Sequence, residues 1–465
     1  MPFRKILVAN RGAAAARIIR ALREMSIRSV AVYSEADADL PYLAEADEKH
    51  CIGPAAPKES YLDQPRILGV LDECGADGLH PGYGFLSENA QFARAVEAAG
   101  RTFIGPSPRL IDQMGHKARA RAMLGRHGMP VSASSGVLEH NDLASRRAAE
   151  AIGYPVMVKP AGGGGGIGMS VANSPQEIDA AVTRARSAAM RSFGNDEIYL
   201  ERYVRKPRHV EFQILGDRSG AVRHVFERDC SIQRRHQKVI EEARAPVLDP
   251  ALLESGADRI VEAMSRIGYD GIGTVETLYD PDGGFGFLEV NTRLQVEHAV
   301  TEEIAGIDLV RCQILAAAGM PIGEILPARI TLRGTAIQAR IYAEDPIRFL
   351  PSPGPLSVFR GPTGAGIRFE TGYAEGSTIT PYYDPMIAKV IAHGPTRAEA
   401  IALLDAALEQ TVVRGVKTNI AFIRAMLKHP AYVAGELHTG LAAELTASAE
   451  YRAEIAATQA RLAAQ

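Results

Sequence analysis

The sequence predicts a multidomain protein of mixed α/β and α+β class, with a Rossmann-like N-terminal domain, a lidded central domain and a C-terminal α+β domain. Three observations carry this. Residues 6–10, 13–25 and 29–33 alternate as strand, helix and strand, the opening of a parallel sheet. Residues 131–203 form a compact segment with strands, a helix and a glycine loop of their own. Beyond it the pattern turns to antiparallel strands, at 209–215 and 273–279 among others. With 465 residues, 46% of them hydrophobic and 23% charged, the chain can bury a large core and divide into several domains.

In chain order, Gly78-Leu79-His80-Pro81-Gly82-Tyr83-Gly84 reads as a loop after a short strand. Residues 89–99 read as an amphipathic helix leading to 102–105. Such loops sit at the ligand-facing edge of a parallel sheet. Helices around 117–128 connect to the lid. The expected boundaries are 1–114, 115–325 with the lid at 131–203, 326–447, and a helical tail at 448–465.

The net charge of −3 gives no electrostatic case for nucleic acid or an anionic membrane as partner. Cys51, Cys74, Cys230 and Cys312 lack zinc-site or redox spacing and read as reduced, buried thiols. No apolar stretch is long enough to span a bilayer, and a cytoplasmic enzyme is expected.

Gly162-Gly163-Gly164-Gly165-Gly166-Ile167-Gly168 contains G-x-G-x-x-G, but a strand at 169–172 follows where a Rossmann loop opens into a helix. The next helix is expected at Ser174-Pro175-Gln176-Glu177, with Ser174 as N-cap and Glu177 closing a capping box. A glycine turn between strands, with Lys159 ending the strand before it, suits closure over a triphosphate. A mobile surface loop is the plainer alternative. Five consecutive glycines cost backbone entropy and favour the phosphate lid.

Residues 274–279 and 286–291 flank Asp280-Pro281-Asp282-Gly283-Gly284, a hairpin signal. A loop symmetric about Asp282 and Gly283 sets Glu276 opposite Glu289. Such carboxylates repel unless a cation lies between them, and Mg²⁺ carrying ATP phosphates is the natural one. Glu289, Asn291, Arg293, Gln295 and Glu297 share one parity. Fully extended, that run covers roughly 26 Å at ~3.3 Å per residue, so it should divide between a metal and a second, oxyanionic substrate. An ordinary amphipathic strand is the competing reading. His236 and Lys238 also share a parity and are expected to face the phosphates together.

These stretches, with Ile6-Leu7-Val8-Ala9-Asn10-Arg11-Gly12, His80 to Asn89, Glu227 to Lys238, Glu289 to His298, Ala343-Glu344-Asp345-Pro346 and Tyr383-Asp384-Pro385-Met386, resemble the biotin carboxylase family of the ATP-grasp superfamily over nearly the whole chain. The resemblance implies an ATP-grasp lid and central domain. It also implies a two-step reaction, in which bicarbonate attacks the ATP γ-phosphate to give carboxyphosphate, and N1 of biotin on a carrier protein is then carboxylated. By the matching motifs, Lys117, Lys159, Gly164, Gly165, Gly166, Glu201, Tyr203, Val204, His209, Gln233, His236, Leu278, Glu276 and Glu289 would meet ATP. Glu276, Glu289 and Asn291 would bind Mg²⁺ or Mn²⁺. Lys238, Arg293, Gln295, Val296 and Glu297 would hold bicarbonate, with Glu297 as base. Arg340 would stabilise the biotin enolate, and Tyr83 would line the biotin site.

The chain departs from the family pattern at Ala13, His116, Ile167 and Arg244, none of which is assigned to the chemistry. The resemblance further implies a homodimer, a separate biotin carboxyl carrier protein and a carboxyltransferase subunit. The Met-Lys-Met setting of a carrier domain is absent from the sequence. The run from Tyr383 to Lys389 resembles acyl-CoA or urea carboxylases. The remaining alternatives are another ATP-grasp ligase joining an acid to an amine, and a non-catalytic ATP-binding regulatory subunit.

Overall fold

The computed structural model describes residues 3–162 and 167–463. The N-terminal sheet contains β1 (Lys5–Val8), β2 (Arg28–Tyr33), β3 (Glu48–Cys51), β4 (Gly78–His80) and β5 (Thr102–Phe103). All pairs are parallel in the order β3-β2-β1-β4-β5. The order reverses between β1 and β4, the switch point where ligands enter such sheets. Strand β1 ends two residues sooner than expected because Asn10 turns away. Its Nδ2 donates to the carbonyls of Pro81 at 2.7 Å and Tyr83 at 2.8 Å, fixing the loop after β4. Gly82, at φ +65°, is obligatory there, since a Cβ would lie 2.7 Å from Asn10 Nδ2.

The lid sheet joins β6 (Val156–Pro160), β7 (Ser170–Ala172) and β8 (Ile198–Arg202) in the order β7-β6-β8. Its helix covers Ile178–Phe193, four residues later than the expected cap. Ser174 is not the N-cap; the Glu177 carboxylate instead accepts Asn173 N and Nδ2, both at 3.0 Å, so the first turn closes on Asn173 outside the helix.

The central strands are β9 (Arg208–Gly216), β10 (Val222–Arg234), β11 (Gln237–Ala243), β12 (Gly271–Asp280) and β13 (Gly284–Asn291). After them come β14 (Thr335–Tyr342), β15 (Gly354–Pro355), β16 (Val358–Arg360), β17 (Ile367–Thr371), β18 (Thr378–Ile379), β19 (Met386–Gly394) and β20 (Val412–Arg414). One antiparallel sheet runs β13-β12-β9-β10-β11-β14-β19-β17, so it includes strands on both sides of residue 325.

Alternation in β9 positions the site. Val210, Phe212 and Ile214 pack into a core with Leu253, Ala257, Ile260 and Met264 of the helix Pro250–Arg266. Each such large side chain contributes about 1.5–3 kcal/mol on burial. His209, Glu211 and Gln213 are thereby turned to the opposite face.

The N- and C-terminal parts meet at Arg11. Its guanidinium holds Asp37 at 2.6 Å, donates to Tyr373 OH at 3.0 Å and lies 4.1 Å from the Tyr383 ring centroid. The tail forms helices Leu441–Ala447 and Ala449–Ala463, docked where Tyr451 OH donates to Pro346 O at 2.7 Å.

Candidate active site

Three carboxylates converge on one ammonium. Lys238 Nζ lies 2.6 Å from Glu211, 2.7 Å from Glu276 and 2.7 Å from Glu297. Burial alone would lower the Lys238 pKa, but Glu211, Glu276 and Glu297 hold it well above its usual value. Burial would likewise raise Glu276, yet Lys238 and His209 pull it well below the carboxylate range. Beneath the cluster, fully buried Arg228 holds Glu211 at 2.6 Å and Gln213 at 2.8 Å.

Glu276 pairs with Glu289 in register, as the hairpin pattern predicts, but through a different route. The inner register is Thr277 opposite Phe287, and Leu288 is an extra, bulged residue that restores the acidic pair. Each carboxylate finds its own cation: Glu289 meets Lys117 Nζ at 2.6 Å, while Glu276 meets Lys238 and His209. Protein cations therefore relieve the repulsion that the hairpin pattern alone would assign to Mg²⁺. Glu276, Glu289 and the Asn291 side-chain carbonyl still offer the oxygen donors that Mg²⁺ or Mn²⁺ takes. Asn291 Nδ2 is 2.8 Å from Glu276.

The run after Glu289 is not an extended strand. Strand β13 ends at Asn291, the chain turns, and Glu297 caps the helix His298–Ala305. Turning contracts the expected span into one cluster. Arg293 donates to Asn291 Oδ1 at 2.8 Å, Gln295 Oε1 at 3.0 Å and Glu88 at 2.8 Å, and Gln295 Nε2 reaches Glu276 at 3.2 Å. Glu297 also receives Arg340 at 3.0 Å, and Arg340 holds Glu241 at 2.5 Å. Burial would raise the Glu297 pKa, but Lys238, Arg340 and Arg228 depress it, leaving the carboxylate ionised. Tyr83, half-buried in the loop fixed by Asn10, has its hydroxyl pKa raised by burial and feels the charge of Arg340.

On the lid side, Lys159 meets Glu201 at 2.6 Å, and Glu201 meets Arg121 at 3.2 Å. Lys117 opens the helix Lys117–Arg126, and its N–H donates to Ala161 O at 3.1 Å. Gly163, Gly164, Gly165 and Gly166 lie outside the described residues. Tyr203 and Val204 are half-buried where the chain leaves the lid, and Leu278 pairs with His209. Gln233 Nε2 donates to His209 Nδ1 at 2.8 Å, which places the ring proton on Nε2, 3.1 Å from Glu276.

His236 and Lys238 do not share a strand face. Arg235 and His236 form the β10–β11 turn at φ +49° and +67°, and only Lys238 lies within β11. Burial, then Lys159, lowers the His236 pKa, so the ring sits near the lid lysine. The turn is anchored by Arg234, which meets Glu344 at 2.6 Å and lies 5.0 Å from the Phe349 ring centroid. Burial outweighs Arg234 and pushes the Glu344 carboxyl up to about 7. Its protonated form is favoured in the fold, so its contribution is fully present below the ordinary carboxylate pKa and is lost as pH rises through 7. Glu344→Gln is expected to be more stable than wild type at pH 8 and equal to it at pH 4, below the ordinary carboxylate pKa, measured by urea denaturation.

Sequence reasoning missed Glu211, Arg228, Glu241 and Glu88. Polar residues at alternate positions of β9 signal Glu211; Arg228 and Glu88 lie in motifs whose lengths alone do not single them out, and Glu241 lies just beyond the Glu227 to Lys238 stretch. The departures are absorbed locally. His116 Nδ1 caps the helix by accepting Arg119 N at 3.3 Å, Arg244 meets Glu227 at 2.8 Å, Ala13 is half-buried, and Ile167 is exposed.

A lid bearing one lysine, closing over a sheet that presents cations and carboxylates, defines an ATP-dependent ligase of the ATP-grasp class. Residues 2–111 match the biotin carboxylase N-terminal domain, 116–325 the carbamoyl-phosphate synthase L chain ATP-binding domain, and 338–444 the biotin carboxylase C-terminal domain. The chain belongs to the biotin carboxylase family. It is 49% identical to a biotin carboxylase of Halalkalibacterium halodurans, over 94% of this chain and 96% of that one. It is 46% identical to a pyruvate carboxylase subunit of Methanothermobacter thermautotrophicus, over 94% and 89%. The biotin carboxylase domain dimer of Hydrogenobacter thermophilus 2-oxoglutarate carboxylase, solved with MgADP, ADP and bicarbonate, superposes with TM-score 0.90 at 41% identity, covering 95% of this chain and 97% of that one. No described helix is long and apolar enough to cross a membrane.

Proposed function

We propose that this biotin carboxylase uses Glu297 as base and Lys238 as anion anchor in the ATP- and bicarbonate-dependent carboxylation of carrier-borne biotin. The observation that carries the reading is the single cluster joining Lys238, Glu276, Glu297 and Arg340. In it, Lys117, Lys159, His209, Gln233 and His236 meet the nucleotide, flanked by Glu201, Tyr203, Val204 and Leu278. Glu276, Glu289 and Asn291 would hold Mg²⁺ or Mn²⁺, which spreads phosphoryl charge. Lys117 and Lys159 exchange Glu289 and Glu201 for phosphate oxygens. Bicarbonate takes the Lys238, Arg293, Gln295 and Val296 face, where Glu297 accepts its proton as its oxygen attacks the γ-phosphorus and ADP leaves. Arg340, already beside that carboxylate, faces the developing enolate oxygen of biotin, with Tyr83 in the same wall.

The working division is residues 1–114, 115–325 and 326–447. We infer an acyl-CoA as final acceptor, with acetyl-CoA first; its support is the Tyr383 to Lys389 run. The relatives named pyruvate and 2-oxoglutarate carboxylases favour a 2-oxoacid as the second reading. A carrier protein, a carboxyltransferase and a homodimer complete the assembly; the Hydrogenobacter domain is itself a dimer.

The test is ADP release from the purified chain with free biotin. Release that requires both bicarbonate and a divalent cation, and that biotin stimulates, is expected. Folded, ATP-binding protein without bicarbonate-dependent turnover refutes the assignment.

A further inference from the structure

Three successive backbone carbonyls border the anion face, and a side chain holds each. Arg293 Nη1 donates to Leu294 O at 3.3 Å, His298 Nδ1 lies 2.6 Å from Gln295 O, and Lys389 Nζ donates to Val296 O at 2.8 Å. Of these three, His298 and Lys389 have no part in the chemistry proposed above. Both are buried, at 1% relative exposure each. Lys389 lies opposite Arg340 across the β14–β19 pairing and opposite Glu370 across β17–β19, with its Nζ 2.6 Å from the Glu370 carboxylate. Because Gln295 O can only accept, the His298 ring must carry its proton on Nδ1.

The peptide unit is planar, so each N–H points opposite to the carbonyl of the preceding residue. Holding Gln295 O toward His298 aims Val296 N–H away from that ring. Holding Val296 O toward Lys389 aims Glu297 N–H away from the ammonium. Among the described residues neither N–H meets a protein acceptor. Two adjacent free donors, with their peptides locked from behind, beside the ammonium of Lys238 and the guanidinium of Arg293, make a preorganised anion cradle.

We propose that His298 and Lys389 are positioning residues, which lock the Gln295–Val296–Glu297 backbone bordering the bicarbonate site assigned above. The inference rests on the assignment of Val296 to the bicarbonate site. It does not involve the nucleotide, and the two substrates should therefore respond differently.

The experiment measures KM for bicarbonate and for ATP, in biotin-stimulated ADP release, on the full chain. Lys389→Met with Glu370→Gln removes the ammonium together with its buried counter-charge, and His298→Ala removes the shorter, side-chain hold on Gln295 O without removing a charge, leaving only the 3.3 Å contact from the His298 backbone N–H. Each is expected to raise the bicarbonate KM by about tenfold, the scale on which a small misplacement acts, with the ATP KM unmoved. Glu370→Gln alone keeps the Lys389 bond to Val296 and should leave the bicarbonate KM at the wild-type value.

An unchanged bicarbonate KM in His298→Ala overturns the proposal, whether or not the double variant folds. So does a parallel rise in both constants, or an equal rise in Glu370→Gln alone. Arg293→Ala in the same series separates the two levels. If it raises the bicarbonate KM while the others do not, only the backbone lock fails. If none of them moves it, the bicarbonate assignment itself falls.

Discussion

Glu297→Gln is expected to bind ATP as wild type does and to lose about 10³-fold in biotin-dependent turnover, within the range set by removing a general base. Glutamine matches the carboxylate in shape, and its single carbonyl oxygen can stand in for Oε1 toward Lys238, while its NH2 takes the place of Oε2 and gives up the hydrogen bond from Arg340. What it lacks is the anionic oxygen that takes a proton. In the native site that oxygen is fully buried and held ionised, against the effect of burial, by Lys238 at 2.7 Å, Arg340 at 3.0 Å and the nearby charge of Arg228. On the proposed assignment, bicarbonate would meet a deprotonated acceptor at neutral pH. ATP titration calorimetry together with steady-state ADP release checks both halves of the expectation. Turnover within tenfold of wild type refutes the base.

Lys238→Met is expected to be both inactive and destabilised by about 3–5 kcal/mol, the scale of breaking a buried ion pair. Glu211, Glu276 and Glu297 approach Nζ to between 2.6 and 2.7 Å, so removing it leaves three carboxylates around one space. The pH dependence should invert locally. In wild type Glu276 and Glu297 titrate below the usual carboxylate range, and their contribution is lost as pH falls through those depressed values. Without the ammonium, mutual repulsion raises them, and stability is then lost as pH rises. Added Mg²⁺ should restore part of the loss in the variant and little in wild type. Urea denaturation at pH 5 and pH 8, with and without Mg²⁺, reads all three effects, and a loss independent of pH and Mg²⁺ counts against the triple carboxylate account.

The elements that local patterning dictates were legible in the sequence. The opening strand–helix–strand, the antiparallel central strands and the pairing of Glu276 with Glu289 follow from periodicity and turn chemistry. What escaped depends on where the chain stops being regular. Leu288 bulges, and nothing in the alternation of 284–291 announces the extra residue. The run to Glu297 folds back because Glu88 and Asn291 capture Arg293, contacts that span distant segments. His236 lies in a turn that its strand-like neighbours conceal. Glu211 and Arg228 act through neighbours brought alongside by sheet order, which no single segment encodes. The biotin carboxylase resemblance supplied the second substrate, where residue spacing had reached only a small oxyanion.

The pairing of β11 with β14, from Ile240 opposite Ala339 to Ala243 opposite Ala336, places a seam of the sheet between stretches that match two separate families. Recombination between relatives must respect that seam. A chimera crossed near residue 330 joins β11 of one parent to β14 of another, and so parts Glu241 from the Arg340 of its own chain. A chain cut there bares the long edge of β11, an invitation to edge-to-edge aggregation. The unit for domain shuffling is thus the central and C-terminal parts together, and the N-terminal sheet, tied to them through Arg11 and Glu88, has to keep those contacts as well.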